Sequence, residues 1–187
     1  GAMAFEFESS VAAFLPAAQA ERETTAQLLP LLDKLGLICG VSGAFSNLYE
    51  ANQAWFQASS ALQNGLLQDG SCPVFYFQDY LLPQLLSGAL AGRPSWVYYP
   101  DGLKKLKAHD ENSQVSYLET LRVYLDNNLS VTKTAAAIYL HRSTLLDRLA
   151  HITQMLGCDL KNPDFCLTLG ILLRAELQQK RIAQPRT

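Results

Sequence analysis

The sequence predicts an α+β protein, mainly helical, in which a small α/β module is followed by an all-α domain. Three observations carry that expectation. In the first part, short apolar runs bounded by turn residues alternate with segments of helical periodicity. Further on, LSVTKTAAAIYLHRSTLLDRL, Leu129 to Leu149, reads as two short helices joined by a tight turn, the second with HRST at its amino end. The charge also changes sign close to where that stretch begins. Up to Val115 there are 6 basic against 11 acidic side chains, a net of −5, and after it 9 against 6, a net of +3. The expected division is a module over residues 4–92, a connector over 93–112 and a helix-turn-helix domain over 113–187.

The elements follow in order. Gly1-Ala2-Met3 has the look of an expression-vector remnant, under which the native amino terminus lies elsewhere and the chain is a fragment of a longer protein. Phe5-Glu6-Phe7-Glu8 alternates as a strand does. Ala17 to Leu35 is expected as a helix with Leu28, Leu31, Leu32 and Leu35 on one side and Gly36 ending it. Leu37 to Val41 is a short apolar run next to glycines, hence a buried strand. Asn47 and Glu50 resemble a capping box, behind which Leu48, Ala51, Trp55, Ala58 and Leu62 keep helical spacing until Asn64-Gly65. Val74 to Phe77 is a second strand, and Asp79 starts a helix through Leu90. Arg93 to Asn112 is richer in Pro, Gly and charge and reads as the connection. Within it, Trp96, Tyr98 and Tyr99 are candidates for packing the domains together or for an oligomer contact.

In the two-helix stretch the chemistry can be argued position by position. Ser130 or Thr132 can cap the first helix, since a hydroxyl oxygen accepts from a free amide one turn on. Ala135, Ala136 and Ala137 are small enough for a second helix to cross nearby, and Ile138 and Leu140 face the joint. Ser143 can cap the second helix, after which Leu145, Leu149, Ile152 and Leu156 form one apolar stripe and Gly157 supplies the stop. His141, Arg142, Thr144, Asp147, Arg148 and His151 fall on the opposite face. In a docked helix-turn-helix the early residues of the second helix reach base edges. Arg142 suits direct readout, because its planar fork matches the two acceptors of guanine. Thr132, Lys133 and Thr144 suit phosphate contacts, which position without reading sequence. The candidate DNA-binding residues are therefore Thr132, Lys133, His141, Arg142, Ser143, Thr144 and Arg148. The competing reading is a pair of amphipathic helices with a solvated outer face. Asp147 favours it, since a carboxylate repels phosphate, whereas near a helix's amino end it complements the dipole. A last helix, Pro163 to Leu177, carries Phe165, Leu169, Leu172, Leu173 and Leu177 on a stripe and is expected to buttress the reader from behind.

Tyr117 to Leu160, through YLETLRVYLDNNLSVTKTAAAIYLHRSTLLDRL and GCDLKNPDF, resembles the carboxyl-terminal domain of PucR/CdaR-type bacterial regulators. The resemblance implies a sequence-specific DNA-binding regulator of catabolic genes. Two positions depart from the family: asparagine is usual where Ser143 stands, and an aromatic residue where Asp147 stands. GVSGAFSNLYEANQAWFQASSALQNG, with VFYFQDY beyond it, is similar to the degenerate GGDEF-like domain that precedes the reader in many of these regulators, over roughly Gly36 to Asp110. The GGDEF or GGEEF signature that a cyclase needs for metal and nucleotide is absent from the sequence, so no enzyme is expected, and the module is expected to assemble or to sense a ligand.

Composition narrows the classes further. Of 187 residues, 49% are hydrophobic and 17% charged, which suits a soluble protein with a core, and no apolar run approaches a membrane span. A cytoplasmic setting follows. Gly40 and Gly43 lack both the dinucleotide spacing and a Walker lysine, so a tight turn is expected there. Cys39, Cys72, Cys158 and Cys166 show no C-x-x-C pair and are expected mostly as small buried hydrophobes. Three scattered histidines make no metal site, and His109-Asp110-Glu111 reads as a solvated run. No cofactor is expected. The expected partners are double-stranded DNA, a second copy of the chain (a homodimer or higher homo-oligomer, since the modest positive excess predicts weak binding by one copy) and a small-molecule effector. The alternative is a ligand-sensing or scaffolding module whose DNA surface has decayed.

Overall fold

In the computed structural model, residues 2–7, 10–16, 25–68 and 72–183 are described, and the chain divides into two units between Leu85 and Leu86. The mainly helical α+β class holds.

The first unit opens with a hairpin: β1 (Met3–Phe7) pairs antiparallel with β2 (Ser10–Phe14), Met3 opposite Phe14 and Phe7 opposite Ser10. The strand expected at Phe5–Glu8 is thus β1, but its partner was not foreseen, because the two alanines of SVAAF are weak strand formers. Of the helix expected over Ala17–Leu35, residues 17–24 lie outside those described. The remainder includes α1 (Leu29–Leu35), which ends at Gly36 in the left-handed region, φ 63°. Its leucines do not build a core: none of α1 is buried, and Leu31 and Leu35 are exposed.

Beyond it β3 (Cys39–Val41) and β4 (Val74–Tyr76) run parallel, Cys39 opposite Val74, joined by α2 (Ala51–Gln68). A parallel pair needs such a crossover, and α2 packs on both strands. A 3-10 turn, Leu48–Glu50, leads into α2, and the expected capping pair is present in modified form. Asn47 Oδ1 accepts from the Tyr49 amide at 3.0 Å, while Glu50 accepts from the Ser46 amide at 3.1 Å. The helix does not stop at Asn64-Gly65 as expected. Both residues are buried: Asn64 donates to Ser60 O and Gln84 Oε1, each at 2.9 Å. A Cβ on Gly65 would lie 2.1 Å from the Phe75 ring, so glycine is there to seat that ring. After β4 a 3-10 turn, Phe77–Tyr80, precedes α3 (Leu81–Leu90), which starts later than Asp79 and has Pro83 in its first turn, where no amide hydrogen is needed. Gly43 is not a free phosphate cradle, since its amide donates to Gln57 Oε1 at 2.9 Å.

The second unit is helical: α4 (Asp101–Glu111), α5 (Tyr117–Asp126), α6 (Val131–Ala137), α7 (Arg142–Leu156) and α8 (Pro163–Ala183). One core joins them, built around Leu103, Leu106, Leu121, Leu145, Ile152 and Leu169, all fully buried. The stretch read as a connector therefore contributes to this core. Leu103 and Leu106 fall on the inner face of α4 while Lys104 and Lys105 point to solvent, so charge disguised an amphipathic helix. Tyr99 is buried in the same core, whereas Trp96 and Tyr98 are exposed. A 3-10 turn, Ser95–Tyr98, is tied to α8 through Gln179, which accepts from the Ser95 amide and donates to Arg93 O, each at 2.9 Å. The last helix runs past its expected end at Leu177, because Ala175 and Gln178 are also buried, Ala175 beside Leu86 and Leu90.

Two readings of polar residues need correction. Only Cys166 is buried; Cys39 is half-buried, and Cys72 and Cys158 are exposed. The His109-Asp110 pair is structural rather than merely solvated. Asp110 accepts from the amides of Tyr117 and Leu118 at 2.8 and 2.9 Å and from Ser116 Oγ at 2.8 Å, closing the amino end of α5. Burial alone would raise its pKa, but those bonds and the one from His109 hold it below the usual carboxylate value. His109 stacks on Tyr117 with ring centroids 4.5 Å apart.

Candidate nucleic-acid interface

The reader is α6, a turn and α7. Of the two caps considered for α6, Ser130 serves: its Oγ accepts from the Lys133 amide at 3.4 Å. Thr134 and Ala135 are buried and Ile138 packs on the core, so this short helix is held by one face. It closes with the Leu140 amide bonded to Ala135 O at 2.9 Å and Tyr139 at φ 54°, a left-handed closure. The turn delivers the chain to α7.

There the cap is His141, not Ser143 as expected. Its Nδ1 lies 2.8 Å from Ser143 Oγ and accepts from the Ser143 amide at 3.4 Å. The extended backbone of His141 makes it the residue outside the first turn, and Ser143 is already helical. Leu145, Leu149, Ile152 and Leu156 are all buried, and Gly157 ends the helix at φ 68°, both as expected.

With that stripe buried, the other face is fixed. His141, Arg142, Ser143 and Thr144 are exposed at the amino end of α7, and Thr132 and Lys133 are exposed in the first turn of α6. Arg148 is half-buried one turn further on, and Asp147 is exposed beside it. Leu146, which the sequence reading passed over, is also exposed at 47% on this outer face.

The cations of the reader differ from several of those behind it, although Lys105, Lys161 and Arg181 are likewise without ion pairs among the described residues. Among the described residues, Lys133, Arg142 and Arg148 form no ion pair. By contrast, Arg122 bonds Glu119 and Asp126, Arg174 bonds Asp126 at 2.7 Å, and Lys107 and Lys180 bond Glu176 at 2.9 and 3.0 Å. Unpaired guanidinium and ammonium groups at the amino end of helices, where the dipole is also positive, form a surface suited to a polyanion. Glu176 is the opposite case. Burial pushes its carboxyl up, but the Tyr99 hydroxyl, Lys107 and Lys180 overcome this and hold it down to about 2. Tyr99 is raised by burial and by the same hydrogen bond.

Residues 117–175 match the PucR C-terminal helix-turn-helix domain. Over 91% of its length the chain is 30% identical to the purine catabolism regulatory protein of Bacillus subtilis (strain 168), covering 30% of that protein. It is 36% identical over 45% of its length to the proline-responsive transcriptional activator PutR of the same organism, covering 20% of it. It is 32% identical over 54% to the carbohydrate diacid regulator of Escherichia coli (strain K12), covering 26%. The chain thus spans less than a third of each of these three relatives. No solved structure matches it. Each of these relatives is named as a regulator and none as an enzyme. Residues 117–175 thus carry a helix-turn-helix domain of the PucR C-terminal type, and the chain is similar to regulators that include those of purine and carbohydrate diacid catabolism.

Proposed function

We propose that this chain is the DNA-reading portion of a cytoplasmic, sequence-specific transcriptional regulator of catabolic genes, and that the amino end of α7 enters the major groove. In this reading Arg142 contacts base edges, His141 and Ser143 flank it, Thr132, Lys133 and Thr144 hold phosphates, and Arg148 supports the contact from the next turn. The observation that carries it is the exposed, unpaired Arg142 at the first position of a helix whose opposite stripe is buried. The names of the relatives support the catabolic setting.

The first part, residues 4–92, likened above from Gly36 onward to a degenerate GGDEF-like domain, serves as the assembly or effector-sensing module, and 93–112 joins it to the domain of residues 113–187 while lending α4 to that domain's core. Its large apolar residues at the surface, Leu31, Leu35, Phe56 and Leu85 among them, support a homodimer or higher homo-oligomer that places two readers on paired half-sites.

The test is selection of bound sequences from a random duplex pool at physiological salt, with Arg142→Ala in parallel. A motif recovered by the wild type and lost by the mutant is the expected result; no enrichment by folded protein overturns it. A second reading, a DNA surface that has decayed, is favoured by the exposed carboxylate of Asp147. Asp147→Tyr separates the two. A rise in affinity of tenfold or more, roughly one charge repulsion removed plus a new contact, is the outcome expected only of the decayed surface.

A further inference from the structure

We propose that Tyr139, in the turn between α6 and α7, is a DNA-backbone contact: its phenol donates a hydrogen bond to a phosphate on the groove wall beside the amino end of α7. The inference rests on the DNA-binding reading above. Tyr139 occupies the position just past the end of α6, where the chain turns left-handed at φ 54°, with its amide 3.4 Å from Ala136 O and the next amide bonded to Ala135 O. Glycine or asparagine suits that position, because a Cβ crowds the backbone there. The reader domain has Asn128 at φ 53° in the equivalent place after α5, followed by Leu129 at φ 60°, and Gly157 at φ 68° after α7. At the turn it departs from the rule with a large aromatic residue.

The ring returns nothing to the fold. It is 96% exposed, and it makes no hydrogen bond through its hydroxyl and no ring contact among the described residues. An exposed aromatic in a strained conformation is best explained by something outside the chain. Its place says what. Tyr139 lies two residues before His141, the cap of the helix that enters the groove, and so at the end of α7 nearest the phosphates. A phenol is an uncharged donor, so it adds a hydrogen bond to phosphate without the counterion release that a lysine brings. Its contribution is therefore independent of base sequence and of salt.

The experiment measures binding of the full chain to a selected duplex and to a mixed-sequence duplex across a salt series, alongside thermal melting. Tyr139→Phe and Tyr139→Gly are expected to weaken binding to both duplexes by roughly tenfold, the loss of one hydrogen bond to a charged acceptor. The salt slope should stay as in the wild type, whereas Lys133→Ala should lower it by about one. Tyr139→Gly should melt at the wild-type temperature or above it. Wild-type affinity in Tyr139→Gly, while Arg142→Ala loses its preference, would overturn this inference and leave the DNA-binding reading standing. Full affinity in Tyr139→Phe overturns the phosphate bond, and a lower melting point in Tyr139→Gly overturns the claim that the ring gives the fold nothing. If the wild type binds neither duplex, the DNA-binding reading falls first and this one with it.

Discussion

Glu176 shows how a single carboxylate is spent on architecture rather than chemistry. It accepts from the Tyr99 hydroxyl at 2.5 Å and pairs with Lys107 and Lys180, so α8 is tied to α4 and to the turn before it. The unfolded chain takes up this proton near 4.5 and the folded chain near 2. Between those values the unfolded state binds more protons, so stability is complete above about 4.5 and is lost as the pH falls towards 2. Glu176→Gln should flatten the rise of stability over that window and cost about 1 kcal/mol at neutral pH, allowing for solvent screening of the lysines. Urea melts of both proteins from pH 2 to 7 check this, and parallel curves would refute it. Arg142 and Lys133 are the contrary case, cations left without partners. Sequence alone marked these two, because their place near the start of a helix is a local pattern. Glu176 escaped notice because two of its partners, Tyr99 and Lys107, lie about seventy residues away.

At the scale of elements, the reader was legible where its periodicity was regular. The stripe from Leu145 to Leu156 and the stop at Gly157 follow from spacing and backbone geometry alone. The cap moved by two residues, from Ser143 to His141, because which residue stands outside the first turn is set by how the turn after Tyr139 delivers the chain. The element missed was α4, whose Lys-rich sequence hides Leu103 and Leu106. It lies against the carboxyl end of α7, and a Cβ at Gly102 would come 2.2 Å from Leu156 O. Gly102→Ala should therefore force the two backbones apart and destabilise the second unit by roughly 1–3 kcal/mol. The midpoint of a denaturant melt reads this directly, and an unchanged midpoint would mean that α4 yields without cost.

At the scale of the molecule, the two units are built on different terms. Among the described residues the second has a continuous core drawn from α4 to α8, whereas the first buries few large apolar residues, Val74 and Phe75 among them. A unit that leaves Leu31 at 53% and Leu35 at 57% exposed has apolar surface to offer a second copy. Sedimentation should show the 20.6 kDa chain associating, and Leu31→Asp with Leu35→Asp should shift it towards monomer without lowering its melting temperature. Association unchanged by the pair would move the contact elsewhere.

By itself the sequence determined the α+β class, the two reader helices, the stripe that buries α7 and the polar outer face opposite it. Each of these depends on residues within a turn or two of one another. The tertiary structure alone decided that α4 belongs to the reader's core, that α2 runs on through Asn64-Gly65, and that Tyr139 stands bare in a left-handed turn. Those outcomes depend on which distant surface each segment meets: Leu156 for Gly102, Phe75 for Gly65, and for Tyr139 none within the described chain.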